Sequence, residues 1–455
     1  MNNIKTIALL LVIMIANSCF AQINTWRDLY KVKKKDTLYG IAAMYDLTVD
    51  ELKSANPEMA AEGYVLKKGD TVFIPFSKNH QPEVKTTPEE PALKPVVVKK
   101  AGPKNLIRVG VMLPLHDVDG DGRRMIEYYR GLLLACDSLR KTGIATDIHA
   151  WNIAIDTDIR QALLEQDAQN CDIIFGPLYT KQVNALATFC DTYQIKMVIP
   201  FSIMGEDVAH HSSIFQVYQP QNEIDKTAVS AFFERFGSDH PVFIDCNDST
   251  SNKGPFTKAL RQQLEAKGIA YNITNLNSTL EQFQKAFDPA QHNIVVLNSG
   301  KGKAMTAAFN KIAQLQKEQP EITVSIFGYN EWLVYERQQK KNFFTYDMYL
   351  PTTFYYNPLS GKTQQLEKDY RRWFNKSMQN RQPRFALTGF DHGIFFLKGL
   401  HQYGSSFSGD KSQNLSRPIQ TPLRFESVGT TGGYKNNTFQ LIHYTNTGKI
   451  QIINY

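Results

Sequence analysis

The architecture of most of this 455-residue chain is set by one apolar run, Ile107-Arg108-Val109-Gly110-Val111-Met112-Leu113-Pro114-Leu115. Its length and composition predict a strand buried on both faces, and the pattern that follows predicts an amphipathic helix over 124–141. Strands and helices alternate in this way up to residue 200, and the alternation restarts after residue 220 and reaches residue 328. The sequence therefore predicts an α/β fold with parallel sheets in two lobes. Ligands of such folds bind beyond the carboxyl ends of the strands, which places a cleft between the lobes.

Further motifs make this region similar to a known family. Besides the first run they are Ile174-Phe175-Gly176-Pro177-Leu178-Tyr179, Ile199-Pro200-Phe201-Ser202 and Thr388-Gly389-Phe390-Asp391-His392-Gly393. With them, residues 106 to about 405 resemble the type I periplasmic binding proteins, which include branched-chain amino-acid receptors and lipoprotein activators of penicillin-binding proteins. The resemblance implies a two-lobed domain over 106–455. Its lobe one would comprise 106–220 and 333–418, and its lobe two 221–332 and 419–455.

The same resemblance implies which residues face the cleft. By position they are Tyr179, Thr180, Phe201 and Ser202 from lobe one, and Asn298 and Ser299 from lobe two. In amino-acid receptors an acidic residue of lobe two holds the ligand's ammonium group, but the corresponding loop over 298–303 has no carboxylate. This departure weakens the assignment of an amino-acid ligand and, if the loop faces the cleft, favours an anionic or carbohydrate ligand, or none. Asp391-His392 is interpreted as a helix cap and not as a catalytic dyad.

Residues 28–76 predict a separate small domain with the order strand, helix, helix, strand. Asp36 or Thr37 can cap the first helix, and Thr48 with Glu51 three residues later forms a capping box for the second. The segment closely resembles the LysM domain over its whole length. The matching residues are Tyr30, Val32, Asp36, Thr37, Leu38, Ile41, Ala42, Tyr45, Thr48, Leu52, Asn56, Pro57, Leu66, Gly69, Ile74 and Pro75.

The LysM family binds polymers that contain N-acetylglucosamine, chiefly peptidoglycan and chitin, in a groove between two loops. Carried over to this chain, one wall of the groove would be Asp36, Thr37, Leu38 and Tyr39, and the other Asn56, Pro57, Glu58 and Met59. The resemblance thus implies peptidoglycan as a partner. Asp36 and Thr37 can alternatively serve as helix caps, and Leu38 as part of the core.

Two further segments address localisation. Residues 1–21 have a basic start and a nine-residue apolar run over 7–15, which is typical of a cleaved export signal and too short for a membrane span. An alternative to cleavage after Ala21 is lipid modification at Cys19. Residues 77–105 hold five of the chain's 20 prolines and six lysines, which predicts an extended linker. We expect a protein of the periplasm or cell envelope.

Charge and spacing exclude several functions. Of the net charge of +7, three charges lie in the linker and one in the leader, so no basic stripe remains for nucleic acid. No cofactor motif, Cys-His metal spacing or catalytic set is present. The four later cysteines, Cys136, Cys171, Cys190 and Cys246, are interpreted as core residues, and the alternative is disulfide pairing, which an exported chain permits in three full arrangements. The sequence favours a non-catalytic peptidoglycan-binding protein that senses a small ligand or docks an envelope protein. The alternatives are a solute-binding receptor that feeds a transporter, and a cell-wall hydrolase or regulator of wall synthesis.

Overall fold

The computed structural model describes residues 26–34, 36–45, 47–56, 59, 64–75, 105–201, 205–414 and 417–455. The predicted leader over 1–21 and all of the predicted linker except residue 105 lie outside this part of the chain. The chain divides into two compact units between residues 96 and 97. Among the described residues, no helix is both long and apolar enough to cross a membrane.

The first unit has the predicted βααβ order. It consists of β1 (Trp26–Lys31), α1 (Leu38–Met44), α2 (Val49–Ala55) and β2 (Thr71–Pro75), with β1 and β2 paired antiparallel. The helices begin where the sequence predicts, because Thr37 accepts a hydrogen bond from the Gly40 amide and Thr48 and Glu51 form the full capping box. Both helices bury apolar side chains against the strands. The core includes Tyr30, Val32, Ile41, Ala42, Leu47, Leu52, Met59, Val72 and Ile74.

The second unit contains two seven-stranded sheets. The first sheet has the order β13-β14-β7-β6-β5-β3-β4. Its neighbouring strands β4, β3, β5, β6 and β7 are parallel. Its strands are β3 (Leu106–Leu113), β4 (Ala145–Asn152), β5 (Ile173–Phe175), β6 (Lys196–Ile199), β7 (Ile214–Gln216), β13 (Phe425–Ser427) and β14 (Tyr434–Asn436). The helices between them are α3 (Gly120–Arg140), α4 (Arg160–Leu163), α5 (Gln166–Gln169), α6 (Val183–Tyr193) and α7 (Asp207–His210).

The second sheet repeats this plan with the order β16-β15-β12-β11-β10-β8-β9. Its neighbouring strands β9, β8, β10, β11 and β12 are parallel. Its strands are β8 (His240–Asp245), β9 (Asn272–Asn275), β10 (Asn293–Leu297), β11 (Val324–Phe327), β12 (Met348–Thr352), β15 (Gln440–Tyr444) and β16 (Ile450–Asn454). Its helices are α8 (Gln221–Phe236), α9 (Gly254–Ala266), α10 (Leu280–Gln284), α11 (Gly302–Glu318) and α12 (Glu336–Thr345). Two mainly parallel sheets confirm the predicted α/β class.

The lobe boundaries implied by the resemblance are wrong at two places. Strand β12 was expected in lobe one, but it pairs with β11 and β15 in the second sheet. The tail was expected wholly in lobe two, yet β13 and β14 complete the first sheet. Burial explains the second exchange, because the Tyr434 ring stacks on Phe215 with centroids 4.5 Å apart.

Helices α13 (Gly361–Phe374) and α14 (Phe385–Tyr403) carry the chain back to the first lobe after β12. Helix α14 packs directly on α3, and glycines make this possible. A Cβ atom on Gly131 would lie 1.9 Å from the Ala386 carbonyl oxygen, and one on Gly389 would lie 2.0 Å from the Tyr128 carbonyl oxygen. The chain therefore crosses between the sheets three times, after β7, after β12 and after β14.

The cysteines outside the leader lie in or beside the cores of the two lobes. Cys136, Cys171 and Cys190 are buried, and Cys246 is half-buried. Their placement agrees with the interpretation as core residues.

Candidate functional site

The first wall of the predicted glycan groove is built around the start of α1. The Asp36 carboxylate accepts hydrogen bonds from the Lys33 amide at 2.6 Å and the Tyr30 hydroxyl at 2.8 Å. The first of these bonds lowers the pKa of Asp36. Thr37 is occupied as the helix cap. The polar side chains of this wall therefore hold the loop in shape.

The apolar side chains of the same wall differ in exposure. Leu38 is half-buried and packs against the core, whereas Tyr39 is 76% exposed. An aromatic ring can cover the face of a pyranose. The Tyr39 side chain is exposed to solvent and is not part of the core of this unit. Of the four residues predicted for this wall, Tyr39 is the side chain that the structure leaves available to a sugar.

The second predicted wall lies at the end of α2. Asn56 is fully buried, and its amide donates to the carbonyl oxygens of Leu52 and Phe73 and accepts from the Phe73 amide, at 2.7–2.8 Å. Met59 is also buried in the core. These two side chains join the helix to β2, so they have structural roles. Pro57 and Glu58 lie outside the described residues.

The second unit has a cavity where the chain crosses between its sheets. Its volume is about 490 Å³, a size typical of sites for small molecules. The walls come from the segments that follow β5, β6, β7, β11 and β12, and from α3, α8 and α14. The lining residues are Asp121, Arg124, Met125, Leu178, Pro200, Phe201, Val217, Tyr218, Gln219, Gln221, Ile224, Asn330, Thr353, Phe354, Pro383, Phe385, Thr388, His392, Thr421 and Asn436.

One of the residues predicted for the cleft lines this cavity. Phe201 contacts the rings of Tyr128 and Phe385, with centroids 5.3 and 5.4 Å away. Tyr179 reaches its edge, because its hydroxyl donates to the Asp121 carboxylate at 3.3 Å. Burial and the neighbouring Asp121 charge raise the pKa of Tyr179 to about 12, so the hydroxyl remains protonated.

The remaining predicted cleft residues do not join the cavity. Thr180 begins a 3₁₀ helix over Thr180–Gln182, and Ser202 lies outside the described residues. Asn298 lines a different pocket of about 310 Å³, and Ser299 is buried, with its hydroxyl donating to Asp248. The prediction that these two lobe-two residues share a site with Phe201 is therefore not met by the described cavity.

The 298–303 loop lies beside two carboxylates that the sequence did not indicate. Asp245 is the last residue of the neighbouring strand β8, Asp248 follows that strand, and both contact the loop. Asp248 accepts from Lys301 Nζ at 2.7 Å, and this hydrogen bond holds the pKa of Asp248 far below its usual value. The loop has no carboxylate of its own, but the strand order supplies two. The premise that no carboxylate lies at this loop is therefore wrong.

Sequence reasoning missed the importance of Tyr128 and His392. His392 lies in the middle of α14, is fully buried and lines the cavity, and its Nδ1 atom is 3.0 Å from the Tyr128 hydroxyl. Asp391 does not cap a helix, because its carboxylate accepts from the amides of Ile419, Gln420 and Thr421. The only sequence signal for this pair was the Asp-His dipeptide in an apolar helix. No local pattern around Tyr128 predicts its contact with His392.

Comparisons with known proteins agree with this division into two units. Residues 30–75 match the family model of the LysM domain. The first unit contains a LysM domain. The residues matched by the family model include α1, α2 and β2, so the helix caps and core contacts described above belong to this domain. A comparison of the sequence with curated proteins finds no match.

Solved structures similar to this chain include two proteins named for ABC transporters. A protein described as a branched-chain amino acid ABC transporter from Rhodospirillum rubrum is 12% identical, with a TM-score of 0.52 over 76% of this chain and 100% of its own. An ABC transporter substrate-binding protein from Desulfitobacterium hafniense is 15% identical, with a TM-score of 0.42 over 76% and 100%. The Rhodospirillum structure shows that the second unit has the two-lobed fold of periplasmic binding proteins. At this identity the likeness concerns the fold alone.

Proposed function

We propose that the protein is an exported, non-catalytic peptidoglycan-binding protein that attaches to cell-wall glycan through its LysM domain. The match of residues 30–75 to the LysM family carries this proposal, because LysM domains bind glycans that contain N-acetylglucosamine. The second unit then senses a small ligand or docks an envelope protein. The leader-like residues 1–21 and the proline-rich linker over 77–105 support a place in the periplasm or cell envelope.

Glycan binding by this domain depends on the loop backbones and on Tyr39. The Asp36 and Thr37 side chains are engaged in the fold, so the loop before α1 presents preset amide and carbonyl groups to the acetamide groups of the sugar. A wall that is already ordered loses little conformational entropy when it binds. Tyr39 adds an exposed ring beside it.

The ligand-sensing part of the proposal is supported by the cavity of the second unit. Three chain crossings and loops from both sheets surround it, so an occupant there would contact both lobes. A ligand that contacts two lobes can change the equilibrium between their arrangements if it binds one arrangement better. The same observation favours a second candidate function, a solute-binding receptor that delivers its ligand to a transporter.

Sedimentation with insoluble peptidoglycan tests the anchoring function. The full-length protein is expected in the pellet, and a chain without residues 22–76 is expected in the supernatant. Equal recovery of both in the pellet would contradict the proposal. Release of dye from labelled peptidoglycan tests the hydrolase alternative. The proposal expects none across a range of pH and added metals, and release by the purified protein would overturn its non-catalytic part.

A further inference from the structure

The cavity of the second unit has one buried polar atom without a partner, and it belongs to His392. Within the described part of the chain, the Nε2 atom of His392 forms no hydrogen bond, although the ring is fully buried. The three other buried polar residues of the lining are engaged. Gln219, Thr388 and Asn436 each donate to a backbone carbonyl oxygen, those of Thr438, Arg384 and Val217 respectively. Ten buried side-chain polar atoms of the described residues lack a partner, and His392 Nε2 is the one among them that belongs to a residue of the cavity lining. An occupant of the cavity would supply the missing partner.

The contact with Tyr128 determines which proton His392 carries. If the Tyr128 hydroxyl donates to Nδ1, both atoms are satisfied and only the Nε2 proton lacks a partner. In the opposite tautomer Nδ1 would donate, and two groups would be unsatisfied, the hydroxyl proton and the Nε2 lone pair. The first arrangement leaves fewer unpaired groups in the interior. His392, a residue of the cavity lining, therefore carries an Nε2–H donor without a partner.

The imidazole is neutral in this setting. Burial lowers the pKa of His392 to about 3, and burial raises the pKa of Tyr128 well above its usual value. No carboxylate contacts either ring in the described structure. The pair thus provides a hydrogen-bond donor without a charge.

The charged side chains of the cavity neutralise one another. Asp121 and Arg124 are the charged residues of its described lining, and they form an ion pair. Asp121 also accepts from Tyr179. The remaining wall is largely apolar and aromatic, with Met125, Leu178, Phe201, Ile224, Phe354 and Phe385. The ammonium and carboxylate groups of a free amino acid would have to break this pair or remain unpaired, which is costly in an apolar cavity.

We propose that this cavity binds an uncharged, mainly apolar molecule whose carbonyl or amide oxygen accepts a hydrogen bond from His392 Nε2. The proposal rests on the ligand-sensing function proposed for the second unit and names the class of ligand. Phe201 and Phe385 contact its apolar part, and the imidazole orients its single polar end. Free amino acids, the ligands implied by the resemblance to amino-acid receptors, are disfavoured.

Two matched probes distinguish these classes by isothermal titration calorimetry on the full-length protein. N-acetyl-phenylalanine methylamide and phenylalanine share a side chain, but only phenylalanine carries two charges. The amide is expected to bind at least about tenfold more tightly, because desolvation of unpaired charges opposes phenylalanine. Tighter binding of phenylalanine, or no binding of either probe, overturns the proposed class.

A pair of substitutions tests the role of the imidazole. His392→Leu together with Tyr128→Phe removes both hydrogen-bonding partners, which limits the destabilisation. The melting temperature reports whether the variant folds, and affinity for the amide is expected to fall about tenfold. Unchanged affinity in a folded variant overturns the proposal. Nitrogen-15 NMR of the wild-type ring provides a test that needs no variant: the spectrum should show the neutral Nε2-protonated form at pH 7 and pH 5, and any other form contradicts the proposal.

A thermal-shift screen separates failure of this proposal from failure of the underlying function. The same protein is screened against amino acids, muropeptides, sugars and the uncharged amide. A shift with charged or sugar ligands alone overturns the ligand class and leaves ligand sensing in place. The absence of any shift overturns both and leaves the protein-docking form of the proposed function.

Discussion

The LysM domain and the two-lobed unit differ in how far apart in the chain their important contacts lie. In the LysM domain the capping contacts join residues three apart, and the Asn56 amide reaches only 17 residues to β2. In the two-lobed unit the hydroxyl of Tyr128 meets His392 across 264 residues. Local contacts leave local sequence patterns, whereas distant contacts do not. The small domain is therefore readable from its motifs, and the cavity of the large one is not.

The largest expected effect comes from the distant contacts. Gly389→Val places a side chain against the Tyr128 carbonyl oxygen, where even a Cβ atom would lie at 2.0 Å. The two helices cannot move apart without opening the core of lobe one, so we expect a loss of about 3 kcal/mol or more. Urea unfolding followed by fluorescence measures it. Gly361→Ala is the control, since a Cβ there meets nothing within 4 Å.

A smaller loss is expected from the local network of the LysM domain. Asn56→Ala removes three buried hydrogen bonds, which costs about 2–3 kcal/mol. Faster hydrogen exchange over Thr71–Pro75, measured by mass spectrometry, would report this loss. Ser54→Ala on the same helix changes an exposed side chain and should leave exchange unchanged. Equal exchange in both variants would contradict a structural role for Asn56.

Tyr39 tests whether binding and stability can be separated in the same domain. Tyr39→Ala should weaken sedimentation with peptidoglycan by roughly fivefold through loss of a contact worth about 1 kcal/mol, with no change in melting temperature. Met44→Ala removes another exposed side chain of α1 and serves as the control. If both variants sediment as well as the original protein, Tyr39 has no part in glycan binding.

The smallest expected effects are the changes in melting temperature when one helix N-cap is removed in each unit. Thr48→Ala and Asp119→Ala each remove an N-cap side chain, at a cost of about 1 kcal/mol. An equal loss lowers the melting temperature more in a small domain, since its unfolding entropy is smaller. Calorimetry should therefore show a larger shift for Thr48→Ala. A larger shift for Asp119→Ala would mean that the caps differ in strength.

In both units the sequence predicted most helices and strands, but fewer of the contacts that join one helix or strand to another. Helix caps at Thr37 and Thr48 and the alternation of strands and helices are local signals, and the structure confirms them. The sheet that receives β12, β13 or β14 depends on pairing between distant strands, which no local pattern specifies. For the same reason the carboxylates of Asp245 and Asp248 beside the 298–303 loop were missed.

The candidate sites show the corresponding limit for function. Asp36, Thr37 and Asn56 match the LysM pattern, yet the structure uses the first two side chains to hold the loop before α1 and Asn56 to join α2 to β2. A family pattern retains residues that form a site and residues that support it, and sequence alone does not separate them. Tyr39 and His392 emerge only when exposure and unpaired atoms are known.

Competition for the LysM groove tests the central claim most directly. The full-length protein is sedimented with insoluble peptidoglycan in the presence of increasing soluble N-acetylglucosamine oligomers, with Tyr39→Ala and Met44→Ala in parallel. Anchoring through the LysM domain predicts that the oligomers release the protein and that Tyr39→Ala is released at lower oligomer concentration than Met44→Ala. Sedimentation that no oligomer concentration reduces would contradict the claim.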